Sequence, residues 1–361
     1  MNKRTFLILA LVFSFMMTTL GGCGARESEL SSDSIEITDC AGRTVSIPAD
    51  PQSVSCVCPF SGAYIVMFGA GDVVTTACNN MTRSLLLASI CPSIADAIVV
   101  KNSGSINAEE ILEQDTDLIV INGGLYADPD ERQKLDTLGI PYIVIDFDSL
   151  ESQLDAIEVL GRAFDAEDKA SQYTAWCRSV YDEVAKAAGK YTGTPVRLYH
   201  AVNEAVRTDE KDGYCAQWIA LTGAENVSVS GELEQEGNKS YTTLEEIYNW
   251  DPDMIICNEA GVDDYILTDD KWQGLRCVRE GEVYQIPVGV SRMGHPTSSE
   301  TPLALMWLMN LLHPDLYPID FTEELISYYD TFYDYPISEE LAEAMMEGDE
   351  MRAAKASVSA E

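Results

Sequence analysis

The chain has 361 residues, of which 60 are acidic and 23 are basic, and its formal net charge is −37 at pH 7. Such an acidic surface repels phosphate backbones and anionic lipid head groups, which argues against nucleic acid as a partner. The length is sufficient for two domains that each bury a core.

The N-terminus has the pattern of an export signal. Two basic residues precede a short apolar run, and Leu-Gly-Gly-Cys follows at positions 20–23. The apolar run is too short and wrongly flanked for a membrane span. Leu-Gly-Gly-Cys at this place is similar to a bacterial lipobox, which implies removal of residues 1–22, lipidation of Cys23 and an extracytoplasmic protein anchored to the cell membrane. Residues 23–34 are expected to form a polar tether.

Nine cysteines remain besides Cys23. An odd number cannot all pair within one chain, so the sequence leaves the disulfide pattern open. Cys56-Val57-Cys58 at a strand end could hold a soft metal ion, but no second Cys or His pair follows at the spacing of a zinc site. Several of the others, such as Cys257 in an apolar strand, have the setting of small buried hydrophobic residues.

The first half of the chain alternates strands with helices, which predicts a parallel or mixed sheet covered on both faces. An alternating pattern around Ala41-Gly42 predicts a β-hairpin over residues 35–48. Further strands are predicted at 53–57, 73–76, 118–121 and 140–145, and helices at 59–68 and 130–138.

A long helix is predicted from Ala166 to Lys190, because apolar residues recur there at spacings of three and four without proline or internal glycine. Asp165 is its expected N-cap. At about 1.5 Å per residue the helix is long enough to connect two lobes. We therefore divide the body into a first lobe at 35–165, a connecting helix at 166–192, a second lobe at 193–320, and C-terminal helices with a tail at 321–361.

The second half repeats the alternation of strands and helices. A strand is predicted at 196–202, a helix at 215–222, then a loop rich in glycine and glutamate. An apolar helix is expected at 302–314, and amphipathic helices at 321–335 and 338–347.

An internal repeat relates the two halves. Residues 108–122 align without gaps to residues 244–258, at an offset of 136, and seven of the fifteen positions are identical. Each copy is predicted to be a short acidic helix, a turn, and an apolar strand that ends at a polar loop. Any helix-turn-strand unit of an α/β protein has these features, but the identities favour a fold of two Rossmann-like α/β lobes, each with a central sheet, joined by the single long helix, with a ligand cleft between them.

Several motifs in order resemble one family. They are Ile-Thr-Asp-x-x-Gly-Arg-Thr-Val-x-Ile-Pro at 37–48, Gly-x-Gly-Asp at 69–72, the acidic helix before Asp-Leu-Ile-Val-Ile at 117–121, the connecting helix and the lipobox. Together they resemble the binding proteins of ABC importers whose lobes are joined by a rigid helix (class III). The resemblance implies a monomer without enzymatic activity or cofactor that captures an iron(III)-siderophore or related metal chelate. Haem, a corrinoid and molybdate or tungstate are alternative cargoes.

The same resemblance implies the partners, which are a membrane permease and an ATPase. In this family each lobe offers a carboxylate to an arginine cluster on the permease, and the matching positions here are Glu109 and Glu245. Glu110 and Glu246 are their nearest alternatives, and all four are also ordinary acidic residues of a first helical turn. A surface sensor of the same fold without a transporter is a further alternative. A hydrolase is disfavoured, because no Gly-x-Ser-x-Gly, His-Glu-x-x-His or phosphate-binding glycine loop occurs.

Candidate ligand-binding residues lie in the loops that follow strand ends, where α/β proteins place their crevice. Arginine and tyrosine among them suit anionic or aromatic ligands. His295 stands where similar proteins often present an aromatic residue, and it could coordinate haem iron or an open ferric position, or have no ligand role. The candidates are Phe60, Ser61, Asn80, Arg83, Gly123, Gly124 and Tyr126 in the first lobe and His200, Arg207, Glu259, Arg292 and His295 in the second.

Overall fold

The computed structural model describes residues 34–101, 104–237 and 239–348. The predicted signal peptide, the lipidation site at Cys23 and the tail from 351 lie outside these residues, as does nearly all of the predicted tether. In the part of the chain that is described, no helix is both long enough and apolar enough to span a bilayer.

Fourteen strands form four sheets in the described ranges. A five-stranded parallel sheet in the first lobe has the order β5-β4-β3-β6-β7, and a four-stranded parallel sheet in the second lobe has the order β10-β8-β13-β14. The strands are β1 (Ser34–Thr38), β2 (Thr44–Pro48), β3 (Val54–Cys56), β4 (Val74–Cys78), β5 (Ile98–Lys101), β6 (Leu118–Asn122), β7 (Tyr142–Ile145), β8 (Arg197–Ala201), β9 (Arg207–Thr208), β10 (Glu225–Asn226), β11 (Glu234–Glu236), β12 (Lys239–Tyr241), β13 (Met254–Cys257) and β14 (Val283–Gln285).

Helices cover both sheets, as the alternating pattern predicts. They are α1 (Pro59–Met67), α2 (Asn79–Thr82), α3 (Leu85–Ile90), α4 (Ser93–Asp96), α5 (Ala108–Glu113), α6 (Gly123–Ala127), α7 (Pro129–Leu138), α8 (Leu150–Ala163), α9 (Glu167–Ala188), α10 (Tyr214–Leu221), α11 (Leu244–Trp250), α12 (Val262–Thr268), α13 (Arg276–Glu280), α14 (Thr301–Leu312), α15 (Phe321–Tyr333) and α16 (Glu339–Glu347). Short 3₁₀ turns lie at Gly71–Val73 and Val227–Ser230. The predicted two-lobe α/β fold is confirmed.

The connecting helix is α9, and its 22 residues are close to the predicted range. The predicted cap is wrong: Ala166 is the N-cap, and no side chain caps the helix. Asp165 instead takes a left-handed conformation with φ 51° at the bend between α8 and α9. Aspartate adopts this conformation more readily than most residues, so Asp165 forms the turn between the two helices and not the cap.

One hydrophobic core runs through both lobes and around α9. It contains residues from Ile37 in the first lobe to Met345 near the described C-terminus, and two smaller clusters fill the outer faces of the two sheets. Tyr173 of α9 contacts both lobes, because its hydroxyl accepts from Tyr64 at 3.2 Å and donates to the carbonyl of Ser299. The lobes are therefore held by a continuous packed core as well as by the chain connection.

The structure corrects the prediction for the segment before the second repeat copy. The loop rich in glycine and glutamate forms a small antiparallel sheet of β11, β12 and β9. Strands this short are stabilised by pairing more than by their own sequence. All nine described cysteines are free thiols, and Cys56 and Cys257 are fully buried.

The internal repeat is a structural repeat. Burial classes of residues 108–122 match those of 244–258 at every position except the last, where Asn122 is half-buried and Asn258 is buried. Asp115 and Asp251 both have left-handed conformations, with φ 49° and 43°. The two copies therefore share their turn geometry as well as their sequence.

Both copies are attached to the preceding strand in the same way. The carboxylate of Asp117 accepts from the backbone N–H of Gln52 at 2.8 Å, just before β3, and that of Asp253 accepts from Arg197 N at 3.0 Å, where β8 begins. Their own backbone N–H groups donate to the carbonyls of Ser53 and Arg197. Each aspartate thus sets the register between its helix-turn-strand copy and the central strand of its lobe.

Candidate functional site

A narrow pocket with about 20 Å³ of free space lies between the lobes and is lined by residues of both. The first lobe contributes the start of α1 and the short helices α2 and α3. The second lobe contributes the loop that follows β14. The lining residues are Pro59, Ala63, Asn80, Met81, Ser84, Leu87, Val290, Ser291, Arg292 and Thr297.

Ser84 closes the floor of the pocket and connects the lobes. Its hydroxyl caps α3 by accepting from Leu87 N at 3.2 Å, and it donates to the carbonyl of Val290 at 2.7 Å. Asn80, one turn earlier on α2, is exposed toward the cleft. The first-lobe wall therefore offers neutral hydrogen-bonding groups on short helices.

Arg292 dominates the second-lobe wall. Its Nη1 contacts Oε2 of Glu259 at 2.6 Å and also donates to Oδ1 of Asn203. Burial lowers the pKa of Arg292; Glu259 opposes this change and Arg207 adds to it. The guanidinium stays charged, because arginine is not deprotonated in proteins. Arg207 forms no ion pair with any carboxylate among the described residues, so its positive charge adds to that of Arg292 on this side of the cleft.

A buried carboxylate holds the loop that carries Arg292. Glu300 accepts from the backbone N–H groups of Val290 at 2.9 Å and Ser291 at 3.2 Å, and from the hydroxyl of Tyr329. Burial raises the pKa of Glu300 to about 7, although these hydrogen bonds act in the opposite direction. A side chain at Gly289 would collide with Glu300, so the loop passes close over it. The geometry of the second-lobe wall thus depends on Glu300.

His295 lies beside the pocket. Its Nδ1 is 2.8 Å from Oγ1 of Thr297, which lines the pocket. This contact fixes the ring next to the lining without making it part of the lining. The prediction that His295 coordinates a cargo metal stays a prediction.

Three other predicted residues lie away from the lining. The ring of Phe60 packs in the core against Phe147, and Ser61 is fully buried behind it. Tyr126 packs against Arg43 and Tyr142 beside β7.

His200 belongs to a buried polar cluster in the second lobe. Its Nδ1 is 2.8 Å from Oδ2 of Asp209, which also accepts from Asn226 at 2.9 Å. In the described part of the chain His200, Asp209 and Cys215 form the one group whose ligand atoms all lie within 4.8 Å of one another. The Cys215 thiol donates to the carbonyl of Gly294 at 3.5 Å, two residues after Arg292, so the cluster supports the wall that carries Arg292.

The remaining candidates are distributed around the cleft. Arg83 ends α2 and is half-buried, Arg207 lies in β9, and Gly123 and Gly124 begin α6. None of the four lines the pocket.

Among the polar lining residues, the sequence does not predict three, namely Ser84, Ser291 and Thr297. A serine directly before three leucines is a signal for a helix N-cap, and it identifies the start of α3. No sequence signal indicates that the same hydroxyl reaches across the cleft to Val290.

Glu109 and Glu245 occupy the second position of α5 and α11, and both are exposed. The helices that carry them are capped by Asn107 and Thr243, whose side chains accept from the backbone N–H groups of Glu110 and Glu246. The two carboxylates are therefore presented in the same way by the two lobes.

Comparisons with known proteins agree with this architecture. A family model described as periplasmic binding protein matches residues 64–288. The molybdate-binding protein MolA of Haemophilus influenzae is 20% identical over 268 residues, which is 68% of this chain and 74% of MolA.

Solved structures show the same fold. A periplasmic solute binding protein from Veillonella parvula superposes with a TM-score of 0.75 at 22% identity, covering 87% of this chain and 97% of that one. MolA bound to molybdate superposes with a TM-score of 0.74 at 19% identity, covering 84% and 99%. CeuE of Helicobacter pylori, in a nickel–histidine complex, gives 0.69 at 14% identity, covering 85% and 98%.

Proposed function

The chain belongs to the periplasmic binding proteins of ABC transporters, and from this premise we propose that its cargo is a small oxyanion of the molybdate class. The observation that carries the proposal is the lining of the inter-lobe pocket. Asn80, Ser291 and Thr297 offer neutral hydrogen-bonding groups, and Arg292 supplies positive charge. Such groups suit the oxygens of a tetrahedral anion.

The size of the pocket favours a small cargo. Its free space of about 20 Å³ is little more than a water molecule occupies, so a small anion requires less opening of the cleft than a bulky chelate does. No aromatic side chain belongs to the described lining, whereas haem and corrinoids need wide apolar contact. MolA, to which the chain is similar, is a molybdate-binding protein.

A ferric siderophore or related metal chelate is the second candidate. Arg207 is near enough to Arg292 to contribute to lowering its pKa, and two guanidinium groups suit an anionic chelate with several oxygens. A cargo of that size requires a wider cleft. Its binding would break the hydrogen bond between Ser84 and Val290.

The delivery step follows from the exposed carboxylates. Glu109 and Glu245 pair with basic side chains of the permease, one on each lobe, and charge-assisted pairs of this kind set orientation and partner choice. The protein acts as a monomer on the outer side of the membrane, held there by the lipid on Cys23. It performs no catalysis.

The cargo is tested by thermal unfolding and calorimetry of the soluble chain from Gly24 onward. The panel consists of molybdate, tungstate, sulfate, ferric citrate, a ferric hydroxamate, haem and cobalamin. A ligand at about a hundred times its dissociation constant adds roughly 2.7 kcal/mol and raises the Tm by several degrees. We expect molybdate and tungstate to do so and sulfate to do so less. A shift with a ferric chelate alone would replace the oxyanion by the second candidate.

Docking is tested separately by charge reversal. Glu109→Lys combined with Glu245→Lys is expected to abolish uptake in cells while the Kd for the cargo stays unchanged. The matched control reverses Glu113 and Glu280, which are also exposed helix residues, one in each lobe. Normal uptake by the Glu109/Glu245 double variant would contradict the docking assignment.

A further inference from the structure

Two exposed apolar side chains lie beside the two docking carboxylates. Leu112 is 51% exposed and Tyr248 is 36% exposed. A single exposed leucine or tyrosine needs no explanation. These two, however, occupy equivalent positions of the internal repeat, at the same offset of 136 residues.

The repeat gives both side chains the same relation to their carboxylate. Leu112 follows Glu109 by three residues on α5, and Tyr248 follows Glu245 by three on α11, so each pair shares one helix face. Ile111 and Ile247, which precede them, are fully buried and fix the rotation of each helix. Each lobe therefore presents one carboxylate and one apolar side chain side by side.

In the first lobe Leu112 borders an open depression. The depression has a volume of about 630 Å³ and lies between α5 and α7, which leaves room for side chains of a partner beside Leu112. Its lining residues are Ala108, Glu109, Leu112, Asp130, Gln133, Lys134, Thr137 and Leu138.

In the second lobe the tyrosine ring is held in place by its hydroxyl. The hydroxyl donates to the carbonyl of Lys271 at 2.6 Å and accepts from Gly274 N at 3.0 Å. A side chain at residue 274 would collide with this hydroxyl. The polar end of Tyr248 is thus bonded within the protein, and the ring is the part available to a partner.

From these observations we propose that Leu112 and Tyr248 are the two apolar anchors of the transporter-docking face. This inference rests on the proposed function, in which Glu109 and Glu245 meet the permease. An apolar centre with charged groups at its rim is the usual composition of a specific interface, and few residues carry most of its binding energy.

The chemistry of the partner follows from the surface. Two carboxylates stand at the start of each helix, Glu109 with Glu110 and Glu245 with Glu246, so the partner offers basic groups. Because the two sites are equivalent, the partner presents two equal sites, each with a basic side chain next to an apolar recess. A two-fold symmetric pair of permease subunits has this arrangement. A lipid surface does not fit, because anionic head groups repel the four carboxylates.

The test measures docking and cargo binding independently. The chain from Gly24 onward, which lacks the proposed lipid attachment site, is titrated onto nanodiscs that contain the ABC permease and ATPase of its host. Molybdate is the cargo probe, and its affinity is measured by calorimetry. Leu112→Ser and Tyr248→Ser are each expected to weaken docking about tenfold, and the double variant about a hundredfold, with molybdate affinity unchanged. Leu112→Met and Tyr248→Phe keep the apolar surface and should dock like the wild type.

Matched controls use exposed apolar residues outside the repeat. Leu85→Ser in the first lobe and Tyr265→Ser in the second remove side chains that are 45% and 46% exposed, and they should change docking less than twofold. If Leu112→Ser and Tyr248→Ser dock no worse than these controls, the anchors are refuted. If the reversal of Glu109 and Glu245 prevents docking in the same experiment, only the anchor inference has failed. If neither set matters, the docking face itself is wrong. Equal binding to empty nanodiscs would replace the permease by the lipid surface and also overturn the inference.

Discussion

The two lobes are alike where they carry the repeat and different where they line the cleft. On the outer side, α5 with β6 and α11 with β13 share caps, turn conformation, burial and the aspartate that anchors the preceding strand. On the cleft side, the first lobe offers Asn80 and Ser84 from short helices, and the second offers Arg292 on a loop held by Glu300. The repeated parts serve the fold and, in our proposal, contact the transporter, whereas we propose that the differing parts select the cargo.

The largest difference between the lobes is expected in their response to pH. Burial raises the pKa of Glu300 to about 7, so its contribution to stability is fully present below pH 4.5 and is lost as the pH rises through about 7. A change of this size is on the order of 3 kcal/mol. Urea unfolding of the wild type should show this loss between pH 5 and 8, and Glu300→Gln should flatten it. A variant with the wild-type pH profile would show that Glu300 does not titrate in this range.

Glu131 of the first lobe is expected to make stability depend on pH in the opposite direction. Burial alone would raise its pKa, but the N–H of Ile106 at 2.9 Å and the ammonium of Lys134 at 2.6 Å lower it, and the net direction is down. Its contribution to stability is present above the ordinary glutamate pKa and is lost as the pH falls through its own lowered value. In Glu131→Gln, stability at pH 7 is reduced and the loss on acidification is smaller, whereas the wild-type decline above pH 5 remains.

Substitutions in the two walls of the cleft are expected to weaken cargo binding by different amounts. Arg292→Met removes the charge of the second-lobe wall and is expected to weaken molybdate binding about a hundredfold, which corresponds to roughly 2.7 kcal/mol. Asn80→Ala removes one neutral group of the first-lobe wall and should cost no more than about tenfold, since a neutral hydrogen bond contributes roughly 0.5 to 1.5 kcal/mol. Calorimetry measures both, and Arg279→Met is the control for loss of an arginine elsewhere. Equal effects at Asn80 and Arg292 would remove the distinction between the walls.

Removing the aspartate that anchors each repeat copy tests whether the two copies contribute equally to stability. Asp117→Ala and Asp253→Ala each leave backbone N–H groups of the preceding strand without their acceptor, at an expected cost of about 1 to 3 kcal/mol each. Denaturant unfolding of the two single variants should give similar losses. A loss at one site alone would mean that the shared geometry has different energetic weight in the two lobes.

The smallest expected effect concerns the helix caps of the repeat. Asn107→Ala and Thr243→Ala each remove the acceptor for a first-turn N–H, which costs about 1 kcal/mol. Asn107→Ser and Thr243→Ser keep the cap and should restore stability. Losses below about 0.3 kcal/mol in both alanine variants would show that packing of Ile111 and Ile247 holds these helices without their caps.

The sequence predicts the fold well because the fold is set by patterns that are local. The apolar runs of β6 and β13, the periodicity of α9 and the repeat all appear in the chain itself, and the structure agrees with them within a few residues. The exceptions are instructive. Asp165 is of a residue type that often caps helices, but here it forms a turn. The segment 207–241 contains a small sheet whose short strands are recognisable only from their pairing with one another.

The cleft is less predictable because its lining is assembled from distant segments. The amide of Asn80 and the guanidinium of Arg292 are predicted from their positions in loops after strands, and both residues line the pocket. Tyr126 has an equally suitable position in the sequence, yet its ring packs against Arg43 instead. Ser84 reaches Val290 across 206 residues, and no local pattern contains that contact.

The long sequence separation of the contacts between the lobes also affects how the chain folds after export. The first-lobe sheet is complete once residue 145 is available, because all five of its strands lie between residues 54 and 145. The contacts that join the lobes, Tyr173 with Ser299 across 126 residues and Ser84 with Val290 across 206, need nearly the whole chain. Contacts of long sequence separation form slowly, since their loop-closure entropy is lost before they are made. The cargo pocket is therefore the last part of the molecule to mature, and a chain that stalls before α14 exposes a finished first lobe without a binding site.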